Sequence, residues 1–171
     1  MNNENPNVFP QNEIEKLPNS FYSHAEAIYH LSEVGIEVKQ TRVADWLGVS
    51  RANVSQVIGR MQNSGLIELS DDLMLTEKGS YLAKMISRRR RIIERFLSEI
   101  LDLPWDQVYK ETKKWENVLS PVTEDAMLKI LGNPTTGIFG NPIPYSGYFE
   151  GPMKRLLDVK VNKKERFNKN S

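Results

Sequence analysis

SRANVSQVIGRMQNSGLI, residues 50–67, is the stretch that decides the fold. Val54, Val57, Ile58 and Met61 recur at helical spacing and form one apolar stripe, and Gly65 is a stop signal. Arg51, Asn53, Ser55, Gln56 and Arg60 fall on the remaining face. Each can donate to phosphate or to base edges, and Gln and Asn suit adenine. Just upstream, RVADWLG (42–48) reads as a short helix, expected to be capped by Thr41 and closed by Gly48. A short helix, a three-residue turn and a second helix with a donor-rich face make a helix-turn-helix pattern. Val49 and Val54 are the apolar positions expected to lock the two helices together. Downstream, LIEL and LMLT flank Asp71-Asp72, which predicts a hairpin. That hairpin is expected to be a wing lying along the DNA backbone. A generic helical hairpin with a polar outer face would explain residues 42–65 alone, but not the wing that follows.

Working outward, SFYSHAEAIYHLSEV (20–34) carries apolar residues at 21, 25, 28, 31 and 34, a helical stripe ended by Gly35. Residues 1–18, rich in Asn and Pro, are expected to be a mobile extension. Thr76 opens a long helix, EKGSYLAKMISRRRRIIERFLSEIL, and Pro104 the next. Within that next helix, YKETKKWENVLS (109–120) is expected to continue as one segment, with Tyr109, Lys113, Glu116 and Asn117 on a shared face. Ser120-Pro121 with Glu124 reads as an N-cap, a Pro at the first helical position and an acidic first turn; this helix is expected to run to Leu131. GNPTTGIFGNPIPYSGYFEGP (132–152) is loop by composition. The fold class is therefore mainly α with a small β-hairpin.

The bulk properties narrow the function. At 171 residues, 39% hydrophobic and 26% charged, the chain reads as a soluble globular protein of one ordinary domain or two small ones. No apolar run approaches the length of a membrane span, and residues 1–20 lack the pattern of a secretory signal. The absence of cysteine excludes disulfides and thiolate ligands, and makes the cytoplasm the expected location. No Ser/His/Asp set, Gly-rich phosphate loop or paired-carboxylate pattern appears, so an enzyme is not expected. Net charge is only +1, but Arg88–Arg91 are consecutive and the tail from Lys160 to Lys169 is basic. The arginine run fits either a DNA contact or a solvated face with Arg90 tied to Glu94; the tail reads as mobile and basic.

Several stretches together resemble the diphtheria-toxin-repressor and manganese-transport-regulator family of metal-dependent transcriptional repressors. They are AIYHL, VADWLGVSRANVSQVIGRMQNSGLI, LTEKGSYLA, RIIERFL, KWENVLS and FGNPIP, spanning about residues 20–145. The resemblance implies a winged-helix DNA-binding domain (19–86), a helical dimerisation domain (87–157) and a basic tail (158–171). The chain ends too soon after FGNPIP for the SH3-like third domain that some members carry. The resemblance also implies a homodimer on palindromic double-stranded DNA. Two-fold reading needs two recognition helices about one DNA turn apart, so Phe96, Leu97, Trp105 and Trp115 are expected in a dimer core. Ser50, Arg51, Ala52, Asn53, Ser55 and Gln56 are expected to read bases, with Arg42 and Arg60 on phosphates.

In the family a divalent iron or manganese ion ties the first helix to the dimerisation domain. The matching positions here are Ser23, Lys113, Glu116 and Asn117 for one ligand set, and Arg90, Glu94 and Tyr109 for the other. Only the two glutamates agree with the family's pattern. Lys and Arg offer no lone pair at neutral pH. A +2 and a +1 charge at 4 Å repel by roughly 8 kcal/mol at an effective dielectric near 20. Lys113 stands three residues before Glu116 and Arg90 four before Glu94, so each cation is expected to pair with its glutamate in the metal's stead. The expectation is a regulator that needs no metal cofactor. The alternatives are a rebuilt iron or manganese site drawing on His24, His30, Glu26, Glu94, Glu111 and Glu116, and an adaptor using the fold for protein contacts only.

Overall fold

Gly48 turns the chain between the first two helices of the reading motif, at φ 67, a left-handed conformation that costs glycine little. A computed structural model describes residues 11–14 and 16–144. Its elements are α1 (Gln11–Ile14), α2 (Asn19–Glu33), α3 (Gln40–Leu47), α4 (Arg51–Asn63), β1 (Ile67–Leu69), β2 (Leu73–Leu75), α5 (Glu77–Arg95), α6 (Trp105–Trp115) and α7 (Pro121–Ile130). A π-helical turn, Phe96–Ile100, follows α5. The chain divides into two compact units; among the described residues one comprises those up to Ile86 together with Pro144, and the other runs over 87–143.

The N-terminal unit is built as its periodicity predicts. Ala25, Ile28, Val43, Val54, Ile58, Met61, Leu66 and Leu82 are all fully buried in one core. β1 and β2 pair antiparallel with Ile67 opposite Leu75, and Leu73 N–H donates to the Val38 carbonyl at 2.9 Å. Thr76 caps α5 by accepting from Gly79 N–H at 3.1 Å, while its hydroxyl donates to the Gly65 carbonyl at 2.7 Å. Gly79 is required here, because a Cβ would lie 1.9 Å from the Leu66 carbonyl oxygen.

Three local expectations change. Thr41 lies inside α3, and the N-cap is Lys39, with extended backbone and no side-chain cap. Val49 is 39% exposed, which leaves Val54 as the buried lock between α3 and α4. The expected mobile extension packs earlier than residue 18. Ile14 is buried in the core, and Tyr22 Oη donates to its carbonyl at 2.6 Å.

The second unit has its own core of Ile92, Ile93, Leu97, Val108, Leu119 and Met127, with Phe96 and Trp115 packed against it. Leu97 thus belongs to the interior of its own chain, not to a dimer core. Helix α6 stops at Trp115, five residues short of the end of the expected segment at Ser120. Glu116 keeps a helical conformation as its C-cap, and Asn117 lies beyond it, exposed. Ser120 caps α7 as expected, accepting from Thr123 N–H at 3.3 Å, with Pro121 at the first helical position. The basic tail lies outside the described residues.

Candidate nucleic-acid interface and the Glu116 ion network

Helix α4 presents two chemically opposed faces. Ser50 opens it, its hydroxyl accepting from Asn53 N–H at 3.2 Å. Val54, Val57, Ile58 and Met61 are buried, while Arg51, Ala52, Asn53, Ser55, Gln56 and Arg60 are exposed, as is Arg42 on α3. All the side chains expected to read DNA are thus free of the core. Arg60 has a further contact that the sequence did not signal: its guanidinium lies 5.3 Å from the Phe21 ring centroid of α2. Phe21 is buried and Arg60 exposed; a cation–ring contact on the solvent side is worth about 0.5–1 kcal/mol, so α2 helps to hold the C-terminal end of α4.

The wing is braced by a residue that sequence reading missed. Lys39 Nζ donates to the Asp71 carbonyl at 2.5 Å and pairs with Asp72 at 2.8 Å and Glu37 at 3.2 Å. Its ammonium is held above the usual lysine range, first by the hydrogen bond to Asp72 and then by that to Glu37. The hairpin itself carries Glu68, Asp71 and Asp72 and no lysine or arginine. Its side-chain charge opposes phosphate, so any grip on the DNA backbone there would fall to main-chain amides.

On α2, Ser23 Oγ donates to the Ser20 carbonyl at 3.1 Å and so is turned onto its own helix. His24 is buried, with Nδ1 2.7 Å from the same carbonyl. Burial pushes its pKa below the usual histidine value, opposed in part by that hydrogen bond. His30 stacks on the half-exposed Trp46, ring centroids 4.3 Å apart.

In the C-terminal unit Glu116 is 5% exposed and bears a cation on each oxygen. Lys113 Nζ donates to Oε1 at 3.2 Å and Arg90 Nε to Oε2 at 3.1 Å. The expected Lys113–Glu116 pair is present, and Arg90 reaches Glu116, a partner 26 residues away that i,i+4 reasoning did not offer. Glu94 is buried, whereas Tyr109 and Asn117 are exposed. Among the described residues no group of three or more His, Asp or Glu side chains is gathered so as to hold a metal ion. As a seat for divalent iron or manganese the set Lys113, Glu116 and Asn117 fits poorly. Its one carboxylate is already neutralised twice, and its other charged member is a cation.

The arginine run is neither a DNA contact nor a solvated face. Arg88, Arg89 and Arg91 are buried, as is Arg95 beyond them. Arg88 Nε donates to Glu124 Oε1, and Arg89 Nε stands 3.7 Å from Oε2 of the same carboxylate. Arg91 donates to the Pro142 carbonyl and, with the Asn141 amide turned to the orientation that satisfies both groups, through Nε at 2.7 Å to the Asn141 oxygen. Arg95 donates to Glu99 at 2.7 Å and to the Thr136 carbonyl at 2.8 Å. Guanidinium forks satisfy carboxylates and carbonyls together while their stems pack on apolar neighbours. The run therefore pins α7 and the loop 132–143 to α5.

A Ser-capped helix-turn-helix with a braced hairpin, followed by a separate helical unit knit by buried ion pairs, defines a winged-helix protein with a helical second domain. The chain belongs to the iron-dependent repressor family. Residues 23–75 match the family model for the iron dependent repressor N-terminal DNA binding domain, and residues 76–145 that for its metal binding and dimerisation domain. The expected resemblance is thereby established, and the family is one of repressors, not enzymes. The chain is 40% identical over 133 residues to the iron-dependent repressor IdeR of Mycobacterium tuberculosis, covering 77% of this chain and 58% of that protein. To the diphtheria toxin repressor of Corynebacterium diphtheriae it is 36% identical over 123 residues, covering 71% and 54%. Among solved structures, the manganese regulator SloR superposes with a TM-score of 0.68 at 28% identity, covering 77% of this chain and 61% of that one. The metal-dependent transcriptional regulator MtsR superposes at 0.70 and 28%, covering 75% and 60%. The chain thus spans a little under three fifths of the length of the curated relatives it matches.

Proposed function

We propose that this protein is a DNA-binding transcriptional regulator, a repressor by family, that reads a palindromic operator as a homodimer in the cytoplasm and needs no metal corepressor. The carrying observation for DNA binding is the face of α4. Its apolar stripe is buried, and every donor-bearing side chain on the other side is exposed. Ser50, Arg51, Ala52, Asn53, Ser55 and Gln56 lie at the end of the helix that would enter the major groove, with Arg42 and Arg60 available to phosphates. A homodimer is supported by apolar side chains exposed on the C-terminal unit, among them Ile100, Leu101, Trp105 and Val118. Trp105, 47% exposed and edge-on to Phe139, is available to such an interface, whereas the buried Leu97 is not. No described helix is long and apolar enough to cross a membrane.

Metal independence is supported by Glu116, the carboxylate of the inherited ligand set, which already carries Lys113 and Arg90. The test is elemental analysis of the purified protein beside an operator shift with and without chelator. Metal at sub-stoichiometric level and chelator-insensitive operator binding are expected. Stoichiometric iron or manganese with chelator-sensitive binding would select a rebuilt metal site instead. Failure to bind any duplex would select the adaptor.

A further inference from the structure

We infer that Arg90 and Lys113 form a double lock on Glu116, in which Arg90 is a positioning residue that alone suffices to keep a divalent ion out. The inference rests on the metal-independent reading and deepens it by naming the cation that excludes the ion. By family correspondence Arg90 stands in one ligand set, with Glu94 and Tyr109, and Glu116 stands in the other. The hydrogen bond from Arg90 Nε to Glu116 Oε2, at 3.1 Å, crosses from one set to the other. Lys113 holds Oε1 at 3.2 Å. The two cations come from different helices, Arg90 from α5 and Lys113 from α6. The two inherited sets are therefore joined into one clamp between the body of α5 and the C-terminal end of α6.

The locks are unequal. The Lys113 side chain is 38% exposed, so its ammonium can swing into water at little cost, whereas that of Arg90 is 18% exposed. A guanidinium also cannot shed its proton in a protein. Restoring the family's ligands at Lys113 and Asn117 removes one lock and supplies donors, yet leaves Glu116 tied to Arg90.

The test uses the full chain, with manganese(II) alone as the probe, in titration calorimetry and in thermal melts with and without the ion. Lys113→Glu with Asn117→His rebuilds one ligand set. Adding Arg90→Gln opens the second lock by removing its charge while keeping an amide donor. The two-site variant is expected to bind manganese at least about a hundredfold more weakly than the three-site variant, which takes up one ion per chain, on the strength of the cation–ion repulsion removed. Far-ultraviolet circular dichroism of each apo form tests folding. Should the three-site variant not fold, Arg90→Lys in the two-site background replaces it: a shorter-reaching single-point cation should loosen the lock and raise manganese affinity over the two-site variant. Equal manganese affinity with and without the Arg90 change, or no uptake by a folded three-site variant, overturns the double lock. Chelator-sensitive operator binding by the unmodified protein would instead overturn the metal-independent reading. The two failures are distinguishable.

Discussion

Glu124→Gln is the perturbation that most directly challenges the buried arginine arrangement. Glu124 is 4% exposed. The Arg88 and Arg89 side chains that share its carboxylate are 7% and 6% exposed. Glutamine keeps the shape and removes the charge common to both. Breaking a buried ion pair by removing one partner costs about 3–5 kcal/mol, because the other charge stays buried. Arg89, whose Nε stands 3.7 Å from the same carboxylate, also loses a buried counter-charge, so the loss lies toward the upper end of that range. For a domain whose whole stability is about 5–15 kcal/mol the loss is large. With a urea m-value of about 2 kcal/mol/M it lowers the midpoint by about 1.5–2.5 M. The assay is equilibrium urea unfolding followed by tryptophan fluorescence in a Trp46→Phe background. The remaining tryptophans, Trp105 and Trp115, both lie in the C-terminal unit. The comparator is Asp106→Asn, whose pair with Lys110 is exposed on both sides, at 66% and 62%. Such surface pairs contribute under about 1 kcal/mol. A Glu124→Gln midpoint no lower than that of Asp106→Asn would refute the reasoning.

Gln56→Ala is expected to weaken operator binding about tenfold or more, as losing a bidentate base contact does, and to leave binding to random duplex unchanged. Competition titrations check this, and equal losses on both duplexes would remove Gln56 from base reading. Leu97→Ala, at a fully buried position in the second core, should cost about 2–5 kcal/mol in the same fluorescence-monitored unfolding; a cost under about 1 kcal/mol would return Leu97 to an interface. His24 has a folded pKa below its ordinary value because it is buried. The unfolded chain therefore takes up the proton first. The stability His24 contributes is complete above about pH 6.5 and is lost as pH falls through the folded value. Urea midpoints at pH 7.5, 6.5 and 5.5 should fall more steeply for the unmodified protein than for His24→Gln, and parallel slopes would assign the titration to another group.

The parts of the molecule that could be read in advance are those whose causes are local. Ser50 caps the helix three residues ahead of its donor, and the buried stripe of α4 follows from a 3.6-residue period. The hairpin follows from two apolar runs around an Asp-Asp turn. What escaped was every contact joining residues distant in the chain. Lys39 reaches Asp71 across 32 residues, Arg88 meets Glu124 across 36 and Arg91 meets Pro142 across 51. No period encodes such pairs. Four consecutive arginines read as surface because an unpaired buried charge is prohibitively costly, and the glutamates that make burial tolerable lie on other elements.

This blindness bears directly on the inherited ligand positions. Considered alone, Arg90 was an i,i+4 partner for Glu94. Its neighbours in the run are committed elsewhere, Arg88 and Arg89 to Glu124 and Arg91 to Asn141 and Pro142. Helical geometry turns Arg90 to a different side from these, and that side meets the end of α6 at Glu116. The loss of an imidazole at position 90 and the gain of a lysine at 113 are therefore not two separate repairs. They act on one carboxylate from two helices, so the energetic coupling between Arg90 and Lys113 should run through Glu116, and Glu116→Gln should abolish it.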